Sequence, residues 1–219
     1  IKQIQRYNQL APQIFKYLAF ACVTDGVSFR YDWVKPDKFF EWKAEGSSDP
    51  VKNAVLSLFE KTVFLDVIEN YIVFEKEREE IRKKVAMYQQ FRAANRVVNR
   101  ILAGKKKTGL IWHYQGSGKT LTMLFAAWKL KKAHQLSNPT ILLIVDRIDF
   151  SNVDFPYTVK AESSEDLVDR LQRESREVII TTIQKFEEIR EVLSKQENLI
   201  VFVDEAHRSQ YGTLAMRMR

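Results

Sequence analysis

Two short stretches of this 219-residue chain hold residues whose types and spacing can do phosphate chemistry. The first, His113-Tyr-Gln-Gly-Ser-Gly-Lys-Thr120, sets Gly116 and Gly118 around Ser117 and follows them at once with Lys119 and Thr120. Glycines there let backbone N–H groups turn inward and approach phosphate oxygens with no Cβ in the way. The start of a helix behind them adds partial positive charge. Lys119 can reach the β- and γ-phosphates as a point charge, and the Thr120 hydroxyl can ligate Mg²⁺. His113 stands where the usual pattern has glycine, and it reads as a packing or hydrogen-bonding residue rather than a catalyst. The second stretch is Asp204-Glu-Ala-His207, at the end of an apolar run. Asp204 can hold Mg²⁺ through its water shell opposite Thr120. Glu205 can orient and deprotonate the water that attacks a γ-phosphate. His207 is expected to couple the nucleotide site to a further domain by hydrogen bonding. A nucleoside triphosphate and Mg²⁺ are the expected ligands.

Such groups work only if the chain places them at element ends. A short strand is expected over Thr108–Trp112, then the loop, then a helix from Lys119 to about Ala133. Apolar runs at Ile141–Val145, Val178–Thr182 and Leu199–Val203 read as buried strands, and Tyr88–Leu102 as a helix ending at Gly104. Apolar strands alternating with helical stretches imply parallel βαβ units, with phosphate chemistry at the carboxyl ends of the strands. One stretch breaks the pattern. After Val145–Phe150 a crossover helix should begin, yet Ser151–Tyr157 contains Pro156 and no helical spacing. A parallel crossover usually takes about a dozen residues or more, so residues are expected to be missing near Phe150–Ser151.

Ahead of this region, Ile1 to Asn8 reads as the start of a helix. Tyr17–Val23, Thr24-Asp25-Gly26 and Val27–Tyr31 form a hairpin pattern. Val34–Pro50 reads as a linker, Val51–Asn70 as one helix, and the mixed-charge run Glu75–Lys84 as a solvated helix face or linker.

Apolar residues make up 45% and charged residues 29%, as in ordinary soluble domains. No apolar run reaches the roughly eighteen residues of a membrane span, and no secretory pattern opens the chain. The single cysteine, Cys22, lies in an apolar stretch. It cannot form an internal disulfide and belongs to no zinc cluster, so it reads as a small buried hydrophobe in a reducing cytoplasm. A net charge of +7 favours a polyanionic partner once it is combined with the two phosphate motifs. A first residue Ile1 and an end at Met218-Arg219 lead us to expect a fragment.

Together the motifs resemble the first RecA-like domain of superfamily 2 helicases and translocases. The longer strings Gly109–Met123, Val145–Asp149, Thr181–Phe186 and Asp204–Gly212 resemble the motor (R, restriction) subunit of type I restriction enzymes. The close resemblance runs from Tyr88 to Gly212. It implies a RecA-like parallel sheet flanked by helices, preceded by the C-terminal part of an α/β nuclease domain. The implied bounds are 1–34 for the nuclease part, 35–84 for a linker or helical connection, and 85–219 for the first motor domain. It also implies an ATP-hydrolysing DNA translocase and type I site-specific deoxyribonuclease. The implied partners are double-stranded DNA and the modification (methylase) and specificity subunits.

By the same resemblance Gln89 is the adenine-reading glutamine, with an amide that can pair with both N6 and N7. Asp146-Arg147 and Thr181–Lys185 correspond to segments on the nucleic-acid backbone. Arg147, Thr182 and Lys185 are the candidate contacts, although Thr181 and Thr182 read equally well as ordinary strand residues. Gln3-Ile-Gln-Arg-Tyr7 is similar to the Gln-x-x-x-Tyr helix of RecB-like nucleases, where Gln3 and Tyr7 would position DNA phosphate. The nuclease's metal-binding Asp and Glu-x-Lys would then precede Ile1. Without the family, Gln3 and Tyr7 read as helix surface. Glu41-Trp-Lys43, with Asp25 before it, imitates Glu-x-Lys but follows the Gln-x-x-x-Tyr helix instead of preceding it, and reads as a decoy. Two other readings remain: a superfamily 2 DNA or RNA helicase unconnected with restriction, and a nucleotide-gated assembly module. With no second motor domain to supply an arginine finger, this stretch alone is expected to hydrolyse ATP weakly.

Overall fold

The computed structural model describes residues 1–32, 39–44, 49–77, 80–114, 116–146, 153–155, 157–173, 175–187, 189 and 198–204. Arg147, Glu205, His207, the expected break at Phe150–Ser151 and part of the Val34–Pro50 connection lie outside them. The chain divides into two compact units, Ile1–Arg92 and Ala93–Arg219.

The first unit opens with α1 (Lys2–Leu10) and α2 (Pro12–Phe15), followed by an antiparallel sheet of β1 (Ala21–Thr24), β2 (Phe29–Asp32) and β3 (Phe40–Glu41) in that order. The expected hairpin is present. Gly26 takes φ 83°, and Asp25 closes the turn by accepting from the Val27 and Ser28 amides at 3.0 and 2.6 Å. The single helix expected over Val51–Asn70 is two helices, α3 (Pro50–Leu58) and α4 (Lys61–Asn70). The Glu60 carboxylate accepts the Val63 amide at 3.0 Å and so begins a new helix at a residue that would otherwise continue the old one.

The mixed-charge run is also not helical. It forms the hairpin β4 (Ile72–Glu77) and β5 (Glu80–Val85), fully paired from Ile72↔Val85 to Glu77↔Glu80. Lys84 and Glu75 form an ion pair at 2.5 Å, so the opposite charges act between strands instead of along a helix face. The core of this unit is aromatic. Tyr31, Trp42, Tyr71 and Phe91 meet at centroid distances of 4.8–5.4 Å, and the buried Tyr31 hydroxyl donates to the Ala86 carbonyl at 2.6 Å.

Helix α5 (Tyr88–Leu102) coincides with the expected helix. The second unit continues with α6 (Lys119–Lys132), β6 (Thr140–Val145), the two-residue β7 (Val153–Asp154), β8 (Thr158–Lys160), α7 (Ser164–Gln172), β9 (Val178–Thr182), α8 (Ile183–Glu187) and β10 (Leu199–Val203). Strands β10, β6, β9 and β8 form a parallel sheet in that order. The α/β parallel sheet flanked by helices is therefore as the sequence implied. Central β6, Thr-Ile-Leu-Leu-Ile-Val, is buried at every position, the mark of a strand covered on both faces. Leu142, Ile144 and Ile179 pack with Leu167 and Leu171 of α7 and Ile183 and Phe186 of α8. Helix α7 starts where Ser163 accepts the Asp166 amide at 3.2 Å and the Asp166 carboxylate accepts the Glu162 amide at 2.9 Å.

The strand expected over Thr108–Trp112 is absent. The segment pairs with no described strand, and Leu110 and Trp112 are 85% and 91% exposed. An apolar run makes a strand only where a neighbouring strand can take its backbone N–H and C=O groups.

Candidate functional site

The phosphate loop lies at the head of α6. Gly116 and Gly118 both adopt left-handed backbone, φ 78° and 73°, with Gly118 as the N-cap. That geometry favours glycine and leaves the first-turn N–H groups of α6 without intrahelical partners. Ser117 between them is 1% exposed. Its amide donates to the Tyr114 carbonyl at 3.3 Å, while its hydroxyl has no hydrogen-bond partner among the described residues.

Lys119 and Thr120 form the first turn of the helix. The Thr120 hydroxyl donates to Asp204 Oδ2 at 3.1 Å, so two residues from distant parts of the sequence meet at one point. Asp204 is held there by the sheet: it directly follows β10, and its amide donates to the Ile144 carbonyl near the end of β6 at 2.8 Å.

A hydroxyl and a carboxylate in contact at a helix N-terminus form a hard-oxygen donor pair. Mg²⁺ is commonly held by one or two such groups together with water and substrate phosphates. Among the described residues no group of three His, Cys, Asp or Glu side chains could hold a metal by itself. The orphaned Ser117 hydroxyl and the open space beside Gly116, where an added Cβ would meet nothing within 4 Å, fit a polyanion at the loop. His113 has a buried Nδ1 with no partner among the described residues. Burial, and then the positive charge of Lys119, hold its pKa below the usual imidazole value, so it is neutral at pH 7.

The other candidates fall as follows. Gln89 donates to Met87 Sδ at 3.4 Å. Its neighbour Gln90 is 1% exposed and accepts the Met87 amide at 2.8 Å, so its side chain caps the start of the helix. Sequence alone does not separate the two glutamines; their burial does. Thr182 Oγ1 accepts the Lys185 amide at 3.4 Å, while Lys185 Nζ donates to the Ala161 and Glu162 carbonyls at 2.7 Å each. Gln3 donates to Tyr7 Oη at 2.7 Å on α1, a helix that buries none of its residues. In the decoy, the Asp25 carboxylate is held below its ordinary pKa by the Ser28 and Val27 amides, and Glu41 pairs with Arg30 at 3.7 Å.

Residues 89–219 match the SWI2/SNF2 ATPase family, a stretch that includes the loop, α6, the parallel sheet and Asp204. The chain belongs to this family. Membership in an ATPase family implies a nucleotide, and the glycine loop is where this chain can take its phosphates. The chain is 31% identical, over 95% of its length, to a protein of Methanocaldococcus jannaschii named as the MjaIXP endonuclease subunit of a type I restriction enzyme. It is 32% identical over 96% to the HindI endonuclease subunit of Haemophilus influenzae, also type I. The chain spans about a quarter of these relatives, 24% and 23%. The alignments, 257 and 247 residues, are longer than the chain itself, so both relatives carry internal residues without a counterpart here. A solved fragment named as an HsdR subunit from Vibrio vulnificus is 20% identical, with a TM-score of 0.42, covering 99% of this chain and 38% of its own. No described helix is long and apolar enough to cross a membrane.

Proposed function

We propose that this SWI2/SNF2-family chain is part of the R subunit of a type I restriction–modification enzyme, which hydrolyses ATP to translocate double-stranded DNA and cuts it. The carrying observation is the Thr120–Asp204 contact at 3.1 Å, which brings both candidate Mg²⁺ ligands to the mouth of the glycine loop. The likeness to type I endonuclease subunits along nearly the whole chain supports restriction over other motor tasks.

In this reading the loop amides at Gly116, Ser117 and Gly118, with Lys119, bind the β- and γ-phosphates of ATP. Bound Mg²⁺ would neutralise charge on the transferring phosphoryl group, with Thr120 and Asp204 as its protein side. Glu205 acts as the base for water, His207 relays to the partner motor domain, and Gln89 reads adenine. Arg147, Thr182 and Lys185 lie along the DNA backbone, and Gln3 and Tyr7 hold DNA phosphate in the nuclease part. The domains run 1–34, 35–84 and 85–219. The remaining partners are the modification and specificity subunits, in the cytoplasm.

The test is Lys119→Ala in the full-length subunit assembled with those partners. ATP hydrolysis and translocation should be lost while assembly is retained. DNA-stimulated hydrolysis at the unmodified rate would overturn the assignment.

A further inference from the structure

The phosphate loop has two ends, and only one is secured by regular structure. Its carboxyl end runs into α6, while its amino end continues from Thr108–Trp112, the extended segment that pairs with no described strand. Among the described residues, the hydrogen bonds that reach this segment come from one side chain. Arg100, near the end of α5, donates to the Thr108 carbonyl from Nε at 3.2 Å and from Nη2 at 2.9 Å.

The residue after that carbonyl is Gly109. A Cβ built there would stand 3.1 Å from Arg100 Nε and 3.5 Å from its Cδ. Gly109 does not adopt left-handed backbone, so glycine serves here for close approach and not for conformation. The guanidinium therefore lies against the backbone at 108–109, and a side chain at 109 would require it to give by a few tenths of an ångström. Helix α5 is also bonded to α6, the helix into which the loop runs, near that helix's far end. Lys129 of α6 donates to Asn95 Oδ1 of α5 at 2.6 Å.

We propose that Arg100 is a positioning residue for the nucleotide site, clamping the entry of the phosphate loop at Thr108-Gly109 to the helix that also braces α6. The two ends of the loop are then referenced to one rigid element, and the spacing between His113 and Thr120 is set before a phosphate arrives. The planar guanidinium supplies two donors in fixed geometry to one carbonyl, which a lysine cannot. This inference rests on the assignment of ATP to the loop.

The test measures MgATP affinity and thermal midpoint of the full-length chain carrying Arg100→Ala, Arg100→Lys, Gly109→Ala, the Arg100→Ala/Gly109→Ala pair, or Lys119→Ala. Arg100→Ala and Gly109→Ala should each raise the dissociation constant about fivefold, the scale of one such hydrogen bond. Arg100→Lys should fall between, and the double variant should be no weaker than either single one. Unchanged affinity in both single variants, with Lys119→Ala still losing ATP, would overturn the clamp and leave the ATP assignment standing. A lowered thermal midpoint without an affinity change would reduce Arg100 to a structural role and overturn it equally. Multiplying effects in the double variant would show two separate causes, against the proposal. Intact affinity in Lys119→Ala would sink the ATP assignment itself.

Discussion

Thr120→Val separates the two tasks of the Thr120 hydroxyl, because valine keeps the branched shape and removes only the O–H. That hydroxyl donates to Asp204 Oδ2 at 3.1 Å, with both residues half-buried. A hydrogen bond to a charged acceptor contributes roughly 1.5–3 kcal/mol when well buried. Here water can reach the carboxylate once the donor is gone, so the loss should be about 1 kcal/mol. For a chain of this size that corresponds to a fall of about 2–4 °C in Tm. The effect on ligand binding should be larger and of a different kind. Nucleotide affinity without Mg²⁺ depends on the loop amides and Lys119, which valine leaves in place, and should stay within about twofold of the original. The gain in affinity on adding Mg²⁺ should drop by about tenfold or more, because one protein ligand of the ion is gone. Isothermal titration of the full-length chain with ATP, with and without Mg²⁺, reads both quantities. If Thr120→Val keeps the full Mg²⁺-dependent gain, the Thr120–Asp204 pair is not the metal side of the site. If it instead loses affinity equally with and without Mg²⁺, the hydroxyl acts on the loop and not on the ion.

Ile144→Ala, in the middle of central β6 and fully buried, should destabilise the second unit by about 2–5 kcal/mol in urea titration. His113 has a pKa below its unfolded value, so the stability tied to its neutral form is fully present above about pH 6.5 and is lost as pH falls toward the folded value. The stability difference between the unmodified protein and His113→Asn, followed from pH 7.5 to 5, should show that loss, and a pH-independent difference would refute it. Lys185→Met removes two donors from the Ala161 and Glu162 carbonyls and should cost about 1–2 kcal/mol. If Lys185 also contacts DNA phosphate, the variant's salt dependence of DNA binding should be shallower by about one ion.

The second unit was the more legible of the two because its strands are covered on both faces. Ile141–Val145, Val178–Thr182 and Leu199–Val203 are uninterrupted apolar runs with one plausible fate, and each lies within a strand as formed. Patterns that depended on a choice between partners were not legible. Glu75–Lys84 has the opposite charges of a helix face, but its charges pair across a hairpin whose flanks, Ile72-Val73-Phe74 and Val85, supply the strand-forming residues. Val51–Asn70 has continuous helical spacing, yet Glu60 caps a second helix in the middle of it. Thr108–Trp112 looks as strand-like as Ile141–Val145. What differs is the presence of a neighbour, and a single segment's composition does not encode that.

The same distinction runs through the candidate site. Gly116, Gly118, Lys119, Thr120 and Asp204 announce themselves because their chemistry restricts which residue types can serve. The groups that hold them in place do not. The Ile144 carbonyl, which receives the Asp204 amide, would be available from any residue, and Arg100 reads as one more basic residue on an amphipathic helix. Positioning by backbone leaves no trace in residue identity, whereas positioning by a side chain leaves one only where a neighbour must make room, as Gly109 does for Arg100. It follows that substitutions should divide by mechanism. Lys119 or Asp204 variants should lose nucleotide chemistry with the fold intact. Ile144 variants should lose the fold first, and Arg100 and Gly109 variants should shift nucleotide affinity with little change in stability. A stability loss at Gly109 as large as that at Ile144 would mean that the entry segment belongs to the core, and that its strand forms when the protein is at work.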